Sequence, residues 1–395
     1  MSVLRAAPPQ PASPLPGVAA PADLAGLAAA VRAAAERGAA LRVRGAETWW
    51  PDAAEGEVLS TAALDTISDF NPADLVVTVG AGVPLGTLAA TLGSRGVFLA
   101  LDPPGSPSRT VGSVLATGGS GPLAAQYGTA RDQVLGLAVV AGNGTMLRLG
   151  GRVVKNVAGF DLAKLVIGGH GAFGVIAEAH LRLRAVPAAD RTEVWTGGAE
   201  WAARAAARVL ASGATSAALE VTSPELSTAL GWGPAWALAA RSMGGAAAAD
   251  EELSGIDRAA AGRRASGSDG DGAWLEWRRI VGGWPALLRI GADPACWREA
   301  VELAQRHLGP MLGASITVPR GTVRLGAERL DADAVRALRT AAAARGWPVT
   351  LERADAATRS AIGVWGALPE GTARLARELR ALFDPPASLA APLFA

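Results

Sequence analysis

The 395-residue chain has one cysteine, one tyrosine, three histidines and only two lysines among its 37 basic residues. A lone Cys296 excludes an internal disulfide, a cysteine-rich metal site and an iron–sulfur cluster held by this chain alone; it also fits a reducing compartment. No stretch of 18 apolar residues is free of charge, so no transmembrane helix is expected. With 37 basic against 36 acidic residues and no basic stripe, nucleic acid is an unsuitable partner. The histidines lack metal-ligand spacing, no G-x-S-x-G elbow supports a serine triad, and neither lysine follows a glycine as a phosphate-binding P-loop requires. Residues 1–20 are rich in Pro and Ala without the apolar core of a signal peptide, and read as a flexible leader with the cytoplasm as default location.

What is present concentrates between Gly150 and Arg184. Both lysines, Lys155 and Lys164, fall here, with Asn156, one of three asparagines. In a chain otherwise biased to Arg and Ala, this points to a need for a compact ammonium and an amide. Val153-Val154 reads as a short strand. Asp161 reads as the N-cap of a two-turn helix ended by Gly168. The glycine-dense loop 168–174 follows, and from Val175 apolar residues alternate with Ile176, Glu178, His180 and Arg182, the pattern of a strand with one buried face.

Two segments imitate a dinucleotide-binding fingerprint. Residues 169–174 spell G-x-G-x-x-G, but the order is helix, loop, strand, the reverse of what that motif needs. Residues 75–102 have the order strand, glycine loop, helix, strand, acid. The helix is short, Asp102 runs into Pro103-Pro104-Gly105, and no series of strand–helix units follows. Glycine backbone that can turn its N–H groups toward an anion is what remains of the first segment; a plain helix-to-strand connection is the other reading.

The segments TVGSVLATGGSGP, YGTARDQVLGLAVV, GGRVVKNVAGFDLAKL and GHGAFGVIAEAHLRL, in this order between Thr110 and Arg184, resemble the FAD-binding domain of the vanillyl-alcohol-oxidase/PCMH superfamily. Within it they are most similar to the FAD-binding (E) subunits of bacterial glycolate oxidases. The resemblance implies an α+β fold, with a PCMH-type FAD-binding domain of two α+β subdomains over residues 21–187. A smaller α+β cap or substrate domain with an antiparallel sheet would occupy 188–395. It implies that FAD is held without a covalent link by four loops: Arg44, Gly45, Ala46 and Thr48 in the first; Asp102, Pro104, Thr110, Val111, Gly112 and Ser113 in the second. Thr117, Gly118, Ser120, Gly121, Tyr127 and Gly128 would form the third, and Gly169, His170, Gly171, Gly174, Val175 and Ile176 the fourth. Ala46 and Glu47 depart from the family's first loop, and Glu47 sets a carboxylate where an anion should sit.

Three residues are candidate catalytic groups: Lys155, His170 and Tyr127. Lys155 either stabilises negative charge at the reduced flavin or substrate carboxylate, or pairs with Asp161. Tyr127 has either a specific role for its hydroxyl or an ordinary half-buried place. The catalytic 2-hydroxy-acid dehydrogenases of the superfamily end in an H-x-G-D-G-N-x-H-like motif that this chain lacks, and Phe383-Asp384-Pro385 is only half of the family's ending.

Ten of the 12 tryptophans lie beyond Pro187, in a region that reads as mixed strands and helices. These tryptophans suit either a core or an interface. Residues 243–272 read as a flexible insertion, or as a helix and a loop. The resulting expectation is an FAD-dependent oxidoreductase subunit that oxidises a 2-hydroxy acid. It would work with a second flavoprotein subunit and an iron–sulfur subunit, in the cytoplasm and at the inner membrane through those partners. A free-standing flavin enzyme with another substrate and a degenerate scaffold subunit are the alternatives.

Overall fold

The structure, a computed structural model, describes residues 19–50, 56–151 and 161–390. The expected leader up to residue 18, the Val153-Val154 strand, Lys155 and Asn156 lie outside them. The fold is α+β, built on two large antiparallel sheets.

The first part of the chain contributes β1 (Leu41–Arg44), β2 (Glu57–Ser60), β3 (Ile67–Asn71), β4 (Val76–Gly80), β5 (Val97–Phe98), β6 (Val134–Val140), β7 (Met146–Gly150), β8 (Val175–Arg182) and β9 (Arg184–Ala185). Five of them form a sheet in the order β3-β4-β8-β6-β7; β1 and β2 pair in parallel beside it. The alternation expected from Val175 holds. Ala177, Ala179 and Leu181 are buried, while Glu178, His180 and Arg182 are only partly covered; Ile176 is also buried. The Gly142–Thr145 turn joins β6 and β7, with the Asn143 Oδ1 accepting the Thr145 N–H at 3.0 Å.

Neither dinucleotide imitation forms a βαβ unit. Strand β4 runs antiparallel to both β3 and β8, and the two-residue β5 pairs with β9 instead. The glycines after β4 have a packing cause. A Cβ on Gly82 would lie 2.4 Å from the Thr61 carbonyl oxygen, so this turn is pressed against backbone. Asp161 does not cap the Leu162–Val166 helix with its side chain; it pairs at 3.4 Å with Lys164, and both are exposed.

Beyond it follow β10 (Ala189–Gly197), β11 (Ala218–Thr222), β12 (Trp236–Gly244), β13 (Arg263–Asp269), β14 (Ala286–Gly291), β15 (Gly313–Thr317), β16 (Thr322–Ala327) and β17 (Val349–Arg353). They make one sheet, ordered β13-β10-β12-β11-β15-β16-β14-β17. The stretch 243–272 is no flexible insertion; it holds a helix, Ala246–Ala260, and the edge strand β13. Apolar Ala249, Leu253, Ile256 and Ala260 recur at helical spacing and are buried, which anchors this helix on the sheet.

Period-two alternation gives this sheet two unlike faces. Leu219, Val221, Leu288, Ile290, Ile316, Val323, Leu325, Val349 and Leu351 join one core with the helices Ala199–Ala211, Ala246–Ala260, Trp297–Leu308 and Ala332–Ala343. The intervening Glu220, Arg289, Ser315, Thr317, Arg324, Thr350 and Glu352 point to the other face, toward the first part of the chain. The two parts are tied directly. Arg324 donates to the Ser120 carbonyl at 2.6 Å, Trp50 to that of Glu352 at 2.8 Å, and the Gly105 N–H to that of Arg278 at 3.0 Å. The ten late tryptophans serve cores: Trp195, Trp232, Trp274, Trp277, Trp284, Trp297 and Trp347 are buried, while Trp201, Trp236 and Trp365 pack against core clusters.

The Phe383-Asp384-Pro385 ending is a structural clasp. The buried Asp384 carboxylate accepts the Ser388 N–H at 2.9 Å and the Leu389 N–H at 3.0 Å, and Leu389 bridges to Leu41 beside the cleft described next.

Candidate functional site

Four of the described segments converge. Strand β1 ends at Arg44, and the chain turns through Gly45-Ala46-Glu47, with Glu47 at a φ of 53°. Thr110 caps the Val111–Thr117 helix by accepting the Ser113 N–H at 3.3 Å, and a Cβ on Gly45 would meet the same Thr110 hydroxyl at 2.4 Å. The loop after Ile167 is pinned to that helix by Gly168 N–H to Leu115 O at 2.9 Å and His170 N–H to Ala116 O at 2.8 Å. The C-terminal Leu389-Ala390 closes the fourth side.

Together they enclose a cleft of about 1220 Å³, counting its open mouth. Of the residues expected from the sequence, Arg44, Gly45, Ala46, Thr48, Gly112, Ser113, Thr117, His170, Gly171, Gly174, Val175 and Ile176 line it. Pro104 and Ser120 line a smaller inner chamber of about 320 Å³, which shares Trp49, Thr117 and His170 with the cleft. Thr110, Val111, Gly118, Gly121, Gly128, Gly169 and Tyr127 stand outside both, and Asp102 faces a different cavity. Tyr127 packs edge-on to Phe98 at 6.0 Å and lies 5.7 Å below the Arg184 guanidinium.

Gly171, at a φ of 86°, borders the cleft with nothing within 4 Å of where a Cβ would stand. Glu47 is neutralised, with carboxylate oxygens 3.0 Å from Arg44 and 3.7 Å from Arg42. The trio therefore keeps one positive charge at the mouth.

The inner chamber is cationic. Buried Arg109 stacks on Trp49 at 3.9 Å and donates to Pro104 O at 2.9 Å and Thr117 Oγ1 at 2.6 Å; burial pulls its pKa down to about 9. Glu352 is shared between Arg289 at 2.8 Å and Arg324 at 3.0 Å. Burial alone would raise its pKa, but Arg324 and Arg289 hold it below the usual carboxylate range. Three guanidiniums thus face one carboxylate. His170 stands between Trp50, at 5.1 Å, and Trp365, at 5.7 Å, and its buried Nδ1 has no hydrogen-bond partner among the described residues. Burial, then the charges of Arg289 and Arg109, lower its pKa to about 3, so the imidazole is neutral near pH 7.

Residues 15–150 match the family model described as FAD binding domain. The match covers about a third of the chain. Glycolate oxidase subunit GlcE of Escherichia coli (strain K12) is 38% identical over 136 residues, 34% of this chain and 39% of that protein. D-2-hydroxyglutarate dehydrogenase of Xanthomonas citri pv. viticola is 39% identical over 136 residues, 34% of this chain and 29% of its own. The matched stretch thus spans less than two fifths of either relative. A structure of alkyldihydroxyacetonephosphate synthase shares the fold across 95% of this chain and 76% of its own, with a TM-score of 0.69 and 16% identity.

The residues fit the cofactor. The cleft is lined by the first and second loops, is open where Gly171 lacks a side chain, and has a net cation at its mouth. The family match ends at residue 150, whereas the cleft also takes the 170–176 loop and the C-terminal clasp.

Sequence reading missed Trp49, Trp50, Arg109, Arg289 and Glu352. A signal existed for the last two, because a charged residue inside apolar ALLRIG and VTLER marks a strand whose second face is neither plain core nor open surface. Lys155 lies outside the described residues.

Proposed function

We propose that the chain is the FAD-binding subunit of a glycolate-oxidase-like complex, in which a 2-hydroxy acid is oxidised to the 2-oxo acid. Residues 21–187 would hold the cofactor and 188–395 would cover it. The observation that carries this reading is the convergence of the flavin loops on a cleft whose inner end is walled by Arg109, Arg289 and Glu352.

Bound FAD supplies the two-electron acceptor. The chain's own groups bind and orient. Arg44, the amides of 44–48 and Gly112-Ser113 suit the negative pyrophosphate, and Gly171 leaves room for it. The surplus positive charge of the inner chamber suits a substrate carboxylate, because a guanidinium in a dry site attracts an anion far more than in water. Lys155 keeps its proposed role as a cation near the flavin, while Tyr127, outside the cleft and the chamber, takes the ordinary half-buried place that the sequence also allowed.

The chamber is short of a base. Oxidation must remove the hydroxyl proton, and a base works best with a pKa near the working pH. Among the described residues lining the chamber, His170 has a pKa of about 3, and Glu352 is held ionised by its arginines. That supports a chain completed by a second flavoprotein subunit, with an iron–sulfur subunit to carry electrons away, in the cytoplasm and peripheral to the inner membrane through them. The neutralised Glu47 weighs against the scaffold reading.

The experiment is to purify the chain alone and with those partners co-expressed, and to assay glycolate and D-lactate with an artificial acceptor. The expected result is flavin in both preparations and activity only in the second. Robust turnover by the chain alone would favour a free-standing enzyme.

A further inference from the structure

A third cavity, of about 830 Å³ counting its mouth, lies on the far side of the Asp102–Pro104 loop from the flavin cleft. It sits between the Leu85–Gly93 helix, β12 and the Gly272–Gly283 helix. Most of its wall is apolar, supplied by Leu88, Leu99, Leu101, Met243 and Trp274 among others.

Two charges of opposite sign face this space without touching. Among the described residues, the buried Asp102 carboxylate accepts only the Leu123 N–H, at 3.2 and 3.1 Å. Arg278 uses its Nε to reach Pro103 O at 3.1 Å, and among the described residues its two terminal nitrogens have no acceptor. Each charge acts on the other through space, yet they form no ion pair. Arg241, also in the wall, is already neutralised by Asp190 at 2.7 and 2.5 Å. Asp271 adds a second, exposed carboxylate at the rim.

A buried carboxylate left without a cation is costly, and direct contact with Arg278, itself only partly buried, would remove most of that cost. Here the fold holds the two ions apart across a cavity with apolar sides. A molecule that satisfies both must carry one group of each sign and an apolar body. We propose that this cavity binds a small zwitterion with an apolar side chain, an α-amino acid of the size of leucine or phenylalanine. Its ammonium pairs with Asp102 and Asp271, its carboxylate with the free end of Arg278, and its side chain lies against Leu88, Leu101 and Trp274. An acid without the ammonium, or an amine without the carboxylate, leaves one of the two charges without a partner.

The test is calorimetric titration of the chain as purified with L-leucine and L-phenylalanine, using 4-methylpentanoate and 3-methylbutylamine as single-charge controls. The expected result is saturable binding of at least one amino acid, with both controls weaker by roughly tenfold or more. Arg278→Gln and Met243→Trp, the second filling the cavity without touching a loop hydrogen bond, each weaken that binding by about tenfold or more. An unchanged flavin spectrum certifies each fold, so a negative result here is separable from failure of the flavin reading. The proposal is overturned if neither amino acid saturates at millimolar concentration, which would mean a cavity filled by water only. It is also overturned if a control binds as well as the amino acid, or if binding survives both variants.

Discussion

Arg324 and Glu352, on β16 and β17, meet at 3.0 Å between Nε and Oε2 on the polar face of the eight-stranded sheet. The same guanidinium donates to Ser120 O at 2.6 Å, so one side chain joins the sheet's carboxylate to a flavin loop. Removing one partner of a buried pair leaves the other uncompensated, at a cost of about 3–5 kcal/mol. Arg289 still accompanies Glu352, which places Arg324→Ala at the lower end, about 3 kcal/mol. Denaturant unfolding of the variant checks this. A loss below about 1 kcal/mol, the range of exposed pairs, would show that the contact is incidental.

Gly171→Val is expected to abolish flavin binding while the far-ultraviolet circular dichroism stays near that of the parent. At a φ of 86° a β-branched residue is strained, and its side chain would enter the cleft, where no neighbour stands in the way. Full flavin occupancy in the variant would mean that this loop is only a connection.

The sign of one pH dependence is fixed by Glu220. It is fully buried, and its Oε1 accepts a hydrogen bond from Ser315 at 2.5 Å. Burial raises its pKa to about 8, against the opposing effects of the Ser315 bond and Arg324. The folded state therefore holds a proton that the unfolded state releases near pH 4.5, and stability falls as pH rises toward 8. Asp102, raised to about 6 by burial, acts in the same direction at lower pH. His170, lowered to about 3, opposes both, because its unfolded state takes up a proton below about 6.5. Between pH 6.5 and 8, Glu220 contributes the steepest change of these three, while the tails of His170 and Asp102 die away. Glu220→Gln should flatten the decline of melting temperature across that interval, and a variant declining as steeply as the parent would contradict the assignment.

Much of the fold was legible because it rests on local patterns. The alternation from Val175 and the mixture of strands and helices beyond Pro187 are each set by neighbouring residues. Asp161 stands at the N-cap position as read, but its carboxylate turns to Lys164 rather than to the helix N–H groups. Residues 243–272 misled because small polar residues fit an edge strand such as β13 as well as a loop. The cleft loops could be found by resemblance, but their second wall could not. Arg289 and Glu352 lie far in sequence from Arg109 and His170, and only the pairing of β14 with β16 and β17 brings them to one chamber. The tryptophans, readable from composition as either core or interface, proved to be core.

The central claim is that the cleft between β1, the Val111–Thr117 helix and the 168–176 loop holds one FAD without a covalent bond. The most direct measurement is the visible spectrum of the purified chain, followed by heat or acid denaturation and a second spectrum of the supernatant. The account predicts an oxidised-flavin spectrum at about one equivalent per chain, all of it released into the supernatant as FAD. A colourless native protein would contradict the cofactor assignment, and flavin retained in the precipitate would contradict the non-covalent site.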